Sequence, residues 1–106
     1  MALGFMALGF AAARAETPAP PSSRDVHALL DAYKCSICHD ERDPRAGPSY
    51  AEIAHAYRGR QGGFGHLLSV IKQGEHGGGP WHMPPHPEVS DAEARAMARY
   101  ILSVPD

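Results

Sequence analysis

The sequence contains little cysteine, little tryptophan and no long apolar run. Among its 106 residues are two cysteines and one tryptophan. Two cysteines close at most one disulfide, which excludes the disulfide-dense scaffolds of many small secreted domains. The longest apolar stretch, Ala2–Ala13, is well below the roughly 20 residues that cross a bilayer. No segment alternates apolar and polar residues as a half-buried strand does, so the sequence predicts helices and loops.

Positive charge and large apolar residues are also scarce. Lys and Arg together number 10 against 12 Asp and Glu, giving a formal net charge of −2. This balance excludes a nucleic-acid partner, because phosphate binding requires a basic face. Glycine and proline number 11 and 10. A domain this small, with so few core residues, needs stabilisation from a metal or a cofactor.

The N-terminal residues predict a secretion signal. An apolar run leads into Ala13-Arg14-Ala15, which has the small-x-small form of a signal-peptidase site. We assign residues 1–15 to a cleaved signal peptide, 16–24 to a flexible Pro-rich linker and 25–106 to one folded domain. This organisation predicts a mature protein without a membrane span in the periplasm of a Gram-negative bacterium. An uncleaved N-terminal membrane anchor is the alternative.

Four helices are predicted from apolar residues that recur every three to four positions. Ser22 or Ser23 caps the first helix, and Gly74 ends the third in a left-handed cap. Ser90 and Glu93 form a capping box at the start of the fourth. Long loops of irregular sequence connect these helices. The predicted helices cover approximately residues 24–34, 48–57, 64–73 and 90–104.

A Cys-x-x-Cys-His motif at residues 35–39 contains both cysteines. One cysteine pair supplies half of the four ligands of a structural zinc site, and a redox dithiol is expected in a βαβ setting. A disulfide across so short a loop would stabilise little. Haem attachment accounts for every part of the motif, since Cys35 and Cys38 lie on one helical turn and His39 follows to bind iron. The motif therefore favours covalent haem, and the other three chemistries remain alternatives.

The iron of such a haem has a second axial position. Met83 lies in the loop Trp81-His-Met-Pro-Pro85, where two prolines exclude a helix and stiffen the chain. A stiff loop holds a sulfur near iron at low entropic cost, so Met83 is the predicted ligand and His82 and His86 are its rivals. Met97 lies on an apolar helix stripe and is predicted to fill the core. Surface positions are predicted for the other histidines, His27, His55, His66 and His76.

The motifs occur in an order that is found in one family. They are Cys35–His39, Gly47-Pro-Ser-Tyr50, Ile71-Lys-Gln-Gly74, Met83-Pro-Pro85 and a final amphipathic helix containing Tyr100. Over about residues 25–104 the chain resembles the class I cytochromes c, in particular the small bacterial c-551/c-552 type. The resemblance implies an all-α cytochrome c fold, with four short helices and long loops wrapped around one covalently bound haem c. It also implies thioethers at Cys35 and Cys38 and iron ligation by His39 and Met83.

The resemblance implies further contacts around the haem. The Pro48 carbonyl would accept a hydrogen bond from His39 Nδ1. The first and last helices would cross through Leu29, Leu30, Tyr33, Tyr100 and Ile101.

The sequence departs from the family pattern in one loop. Similar proteins often carry Trp-Gly about five residues before the methionine, and Gly78 occupies that place here. Trp81 is instead the candidate for a haem-edge contact, and packing within its own loop is the alternative. Ile37, Val89 and the loop that contains Met83 are expected to surround an exposed haem edge.

The implied function is that of a monomeric one-electron carrier, not an enzyme, because two strong protein ligands leave iron no free site. Its donor and acceptor would be larger periplasmic or membrane-bound redox proteins of a respiratory or dehydrogenase chain. Two alternatives are a permanently bound haem subunit of a periplasmic dehydrogenase and a five-coordinate haem enzyme or gas sensor in which Met83 is displaced.

Overall fold

A computed structural model describes Gly4 and residues 22–76 and 82–106 of the chain. These residues contain five α-helices and no strand, which confirms the predicted all-α class. Two isolated antiparallel bridges join His39 to Pro44 and Glu75 to Met83. None of the described helices is long and apolar enough to cross a membrane. The helices are α1 (Ser23–Ala32), α2 (Cys35–Cys38), α3 (Tyr50–Tyr57), α4 (Gly63–Gln73) and α5 (Asp91–Ser103).

Several sequence-based predictions concern residues outside the described ranges. The predicted signal peptide at residues 1–15 is one, apart from Gly4, and residues 16–21 of the predicted linker are another. Gly78 and Trp81 also lie outside, so the predicted haem-edge contact of Trp81 stays a prediction.

α1 begins slightly earlier than the sequence predicted. The Ser22 hydroxyl accepts a hydrogen bond from the Asp25 N–H, and the Asp25 carboxylate accepts one from the Ser22 N–H. This reciprocal capping box satisfies amide donors at the helix start, and it fixes Ser22 as the N-cap. Ser23, which the sequence placed before the first helix, is therefore the first residue of α1.

The end of α1 is set by an unusual backbone conformation. The helix stops at Ala32, two residues before the predicted end, and Lys34 then adopts a φ of 63°. This left-handed conformation is uncommon for a residue with a side chain, and it turns the chain sharply. The turn separates α1 from α2 (Cys35–Cys38), a single helical turn that makes five helices instead of the four predicted.

Serine caps also begin α3 and α5. The Ser49 hydroxyl accepts from the Glu52 N–H at 3.1 Å, so α3 starts after Ser49 and not at Pro48 as predicted. At α5, Ser90 and Glu93 form the predicted capping box. Each cap supplies a hydrogen-bond acceptor to a backbone N–H that has no partner within the helix. A cap of this kind typically stabilises the protein by about 1 kcal/mol.

The core lies where α5 meets α1, α3 and α4. Met97 is only 1% exposed and fills this core, as predicted. Leu30 of α1 and Ile101 of α5 belong to the same buried cluster, so the first and last helices cross as the resemblance implied. The buried apolar residues are Val26, Leu30, Tyr50, Ala54, Leu67, Ile71, Val89, Ala94, Met97, Ala98, Ile101 and Val104.

Two tyrosines hold opposite ends of the α1–α5 contact. The Tyr33 hydroxyl donates to Glu93 Oε1 at 2.8 Å. The Tyr100 hydroxyl donates to Glu41 Oε1 at 2.9 Å and lies 2.6 Å from His27 Nε2. α1 and α5 therefore run antiparallel, and both tyrosines pack against the core that the two helices share. Burial and the bond to Glu41 raise the pKa of Tyr100 to about 12, which keeps its hydroxyl a donor at neutral pH.

Candidate functional site

All five helices contribute to one cavity of about 750 Å³, lined mainly by apolar side chains. Its volume lies within the range of about 300–1,000 Å³ that small-molecule and cofactor sites occupy. The predicted site residues that the structure describes all line this cavity, namely Cys35, Cys38, His39, Pro48 and Met83. Residues distant in sequence are therefore brought to one place.

The two cysteines lie at either end of α2 and are half-buried and not joined in a disulfide. Burial raises the pKa of the Cys35 thiol. Redox dithiols depend instead on a lowered thiol pKa, so this environment disfavours the dithiol alternative. The described residues also contain no group of three or more His, Cys, Asp or Glu side chains able to hold a metal ion, which disfavours the zinc alternative.

The His39 ring is fixed through its Nδ1 atom. Its Nδ1 lies 2.6 Å from the Pro48 carbonyl oxygen. A carbonyl only accepts, so Nδ1–H is the donor, and the neutral ring keeps its lone pair on Nε2. The Tyr50 ring stacks on the imidazole with ring centroids 5.7 Å apart and planes 25° apart. The imidazole therefore has the tautomer and the support that a metal-binding histidine requires.

Gly47 is a site residue whose role the sequence did not reveal. Its N–H donates to the Cys38 carbonyl at 2.8 Å, which holds this loop across the end of α2. A Cβ at position 47 would lie 2.5 Å from His39 Cε1 and 2.9 Å from Nδ1, closer than any real Cβ contact. The glycine thus allows the loop to approach the imidazole closely enough for Pro48 to bond with it.

Gly47→Ala is expected to lower the free energy of unfolding of the haem-containing protein by about 1–3 kcal/mol, the usual range for overpacking. The added methyl group pushes the His39 ring off its bond to Pro48, so the haem absorption spectrum should shift as well. Denaturant titration followed in the haem band measures both effects.

Gly65→Ala provides the matched control. Gly65 is an exposed residue of α4, and a Cβ there meets no atom within 4 Å. This change should stabilise the helix by about 0.5–1 kcal/mol and leave the spectrum unchanged. If the two variants had the same free energy of unfolding and the same haem spectrum, the close approach of Gly47 would not affect the position of the His39 ring.

Met83 is held by backbone hydrogen bonds, not only by the prolines that follow it. The Glu75 N–H donates to the Met83 carbonyl at 3.0 Å, and the Met83 N–H donates to the Glu75 carbonyl at 2.9 Å. Nearby, the His86 N–H donates to the Lys72 carbonyl at 3.1 Å. The methionine segment is thereby fixed to the C-terminal end of α4.

Gly74 makes this attachment possible. It has φ 78° and ψ 178°, so α4 does not end in the left-handed cap that the sequence predicted. Side chains are strained in this region, and a Cβ here would also collide with the Met83 carbonyl oxygen. The glycine lets the end of α4 pass directly against the methionine segment.

The two rival ligands also line the cavity. The His86 ring is partnered by Glu88, with Nδ1 to Oε1 at 3.0 Å, and this bond lowers the pKa of the Glu88 carboxyl. The His82 side chain is exposed, and its ring stacks on that of His76. The His86 imidazole therefore already has a hydrogen-bond partner, whereas His82 contacts another exposed histidine. The remaining histidines, His27, His55, His66 and His76, are exposed as predicted.

A buried phenol at the cavity wall fits a bound cofactor. Tyr50 is 4% exposed, and its hydroxyl has no hydrogen-bond partner within the described residues. Burial raises the pKa of Tyr50, so the hydroxyl remains a neutral donor. Buried donors without partners are rare in folded proteins, and a polar substituent of a cofactor would satisfy this one. The large apolar cavity, the paired thiols and this free donor together fit a haem.

The prediction for the residues around the haem edge is half wrong. Val89 is 2% exposed and belongs to the core, whereas Ile37 is 67% exposed beside the cysteines. Ile37 therefore lies on the surface where an exposed edge was expected, and Val89 does not.

Comparison with known proteins identifies the family. Residues 22–101 match the family model described as cytochrome c oxidase, cbb3-type, subunit III. Cytochrome c-552 of Hydrogenobacter thermophilus is 42% identical over 72 residues, which cover 66% of this chain and 71% of that protein. Cytochrome c-551 of Stutzerimonas stutzeri is 35% identical over 86 residues, covering 80% and 82%. The chain belongs to the class I cytochromes c.

The fold of this cytochrome agrees with the same conclusion. The crystal structure of Nitrosomonas europaea cytochrome c552 superimposes with a TM-score of 0.69 at 34% identity, covering 74% of this chain and 98% of that one. As a member of the family, the protein carries one covalently attached haem c and is an electron-transfer protein, not an enzyme. Cys35 and Cys38 fit the family's Cys-x-x-Cys-His motif.

Proposed function

We propose that this cytochrome is a one-electron carrier whose haem is attached at Cys35 and Cys38 and whose iron is bound by His39 and Met83. The observation that carries the proposal is that both candidate axial residues line the same cavity as the cysteines. Each is also held by a hydrogen bond to a neighbouring segment, His39 by the Pro48 carbonyl and Met83 by the Glu75 backbone.

These supports have a chemical consequence. The bound haem supplies an iron that changes its charge by one electron. Pro48 holds the imidazole in one tautomer, and the paired backbone of Glu75 and Met83 holds the thioether segment in place. The apolar side chains around the cavity exclude water from the iron. Fixed ligands in a dry site move little when the charge changes, which favours transfer of an electron over binding of a substrate.

The cellular setting is also part of the proposal. We infer that residues 1–15 are removed and that residues 25–106 act as a monomer in the periplasm. There the domain would carry electrons between larger periplasmic or membrane-bound redox proteins. Ile37 is 67% exposed next to the cysteine pair, and it supports a small apolar contact face there. Redox partners typically bury less than about 1,200 Å² in such encounters, so one small domain provides enough surface.

Visible spectroscopy of the haem-containing protein tests the proposal. We expect low-spin spectra in both oxidation states, a reversible one-electron voltammogram and no carbon monoxide complex on mixing with the reduced protein. A high-spin ferric spectrum with immediate ligand binding would instead indicate an open iron site, as in an enzyme or a gas sensor.

A further inference from the structure

Two histidines face each other beside the methionine segment. Glu75 and Met83 exchange both backbone hydrogen bonds, so they form the hydrogen-bonded pair of an antiparallel bridge. The next pair in this register is His76 with His82. A pair of this kind is not hydrogen-bonded, and its side chains approach one another most closely. The two imidazole centroids are 5.4 Å apart, with ring planes 25° apart.

This separation matches what a shared metal ion requires. Zn–N bonds of about 2.0–2.1 Å at a tetrahedral angle place two imidazole centres about 5.2 Å apart. Both side chains are exposed, so rotation of each ring about its Cβ–Cγ bond can turn one nitrogen towards a common ion. Neutral imidazole is a ligand that suits Zn²⁺, Cu²⁺ and Ni²⁺, whereas Mg²⁺ and Ca²⁺ prefer oxygen.

We propose that His76 and His82 form a binding site for a divalent transition-metal ion, separate from the haem iron. The described residues supply no third His, Cys, Asp or Glu ligand, so water completes the coordination. A two-imidazole site of this kind is exchangeable and binds more weakly than a closed structural zinc site. The sequence did not reveal this metal site, because only the Glu75–Met83 bridge brings the two histidines together.

A metal ion at this site would act on the methionine segment. It joins position 76 to position 82, and the adjacent residues 75 and 83 are the bridged pair. Separation of the bridged backbones would then require release of the ion, so metal binding adds to the stability of the pairing.

Calorimetric titration of Zn²⁺ into the haem-containing protein at pH 7.5 tests the site. We expect one Zn²⁺ per chain, with affinity reduced at least tenfold in His76→Gln and in His82→Gln. His55→Gln is the matched control, because His55 is an exposed histidine of α3 far along the chain, and it should bind as the wild type does. Equal affinity in wild type and His76→Gln, or no binding to wild type, would overturn the proposal.

Amide hydrogen exchange provides a second readout that depends on the bridge. In the reduced, diamagnetic protein the Glu75 and Met83 amides should exchange about 100-fold more slowly at a Zn²⁺ concentration 100 times Kd. The same addition should leave both amides of His76→Gln unchanged. Unchanged exchange in Zn²⁺-saturated wild type would show that the ion does not join the two histidines.

Discussion

Replacing Met83 with alanine is expected to lower the reduction potential by on the order of 0.1–0.3 V, part of the roughly 0.8 V over which axial ligands tune haem proteins. A thioether stabilises the reduced iron, and water or imidazole in its place does so less. The weak red-end band of a sulfur–iron bond should disappear from the ferric spectrum, and cyanide should bind rapidly. Voltammetry and visible spectroscopy measure these changes.

Met97→Leu is the matched control for this variant. Met97 also lines the cavity, but it is 1% exposed on the core face of α5. A substitution that conserves volume typically lowers stability by less than about 1.5 kcal/mol. The red-end band should survive in Met97→Leu. Loss of the band in this variant alone would make Met97 the ligand, and absence of the band from the wild-type protein as well would favour His82 or His86.

Replacing both cysteines with serine is expected to abolish covalent haem attachment and leave the chain largely unfolded. Burial of roughly 400 Å² of porphyrin at about 25 cal/mol/Å² gives an upper bound on the order of 10 kcal/mol. This equals the whole stability of many small domains. Without the haem, the cavity of about 750 Å³ lies among the residues that should form the core. Circular dichroism and thermal melting measure the loss.

The single variants separate attachment from folding. Cys35→Ser and Cys38→Ser each keep one thiol, so each should retain haem through one thioether and keep a cooperative melt at lower temperature. Haem that remains attached to the double variant after extraction with acidified acetone would refute the assignment of the cysteines. A cooperative, native-like melt of the haem-free double variant would refute the role of the haem in the core.

The features that the sequence predicts well depend on neighbouring residues. The capping box at Ser90 and Glu93 needs only two side chains three positions apart, and it is present where predicted. The spacing of the two cysteines likewise predicts that both lie on one helical turn, although it predicts no separate helix there. The early end of α1 depends instead on the positive φ of Lys34, a conformation that a lysine gives no sign of adopting.

In the functional site, too, the sequence predicts the features that depend on neighbouring residues and misses those that depend on tertiary contacts. The Cys-x-x-Cys-His motif identifies the haem chemistry because all of its groups lie within five consecutive residues. Gly47 and Tyr50 act through close tertiary approach to His39, which no spacing in the chain encodes. Val89 lies in a loop that sequence alone makes exposed, yet α5 and its neighbours cover it. The backbone hydrogen bonds between Met83 and Glu75 could not be predicted for the same reason, because no local sequence pattern marks Glu75 as the partner of Met83.

The antiparallel contact of α1 with α5 has a consequence for the order of events during synthesis. The first helix has no complete packing partner until the last helix has been made, so the domain cannot fold while its chain is still emerging. We therefore expect the segment with both cysteines to stay accessible for haem attachment until α5 packs on α1. Packing of the two terminal helices would then close the domain around the attached haem.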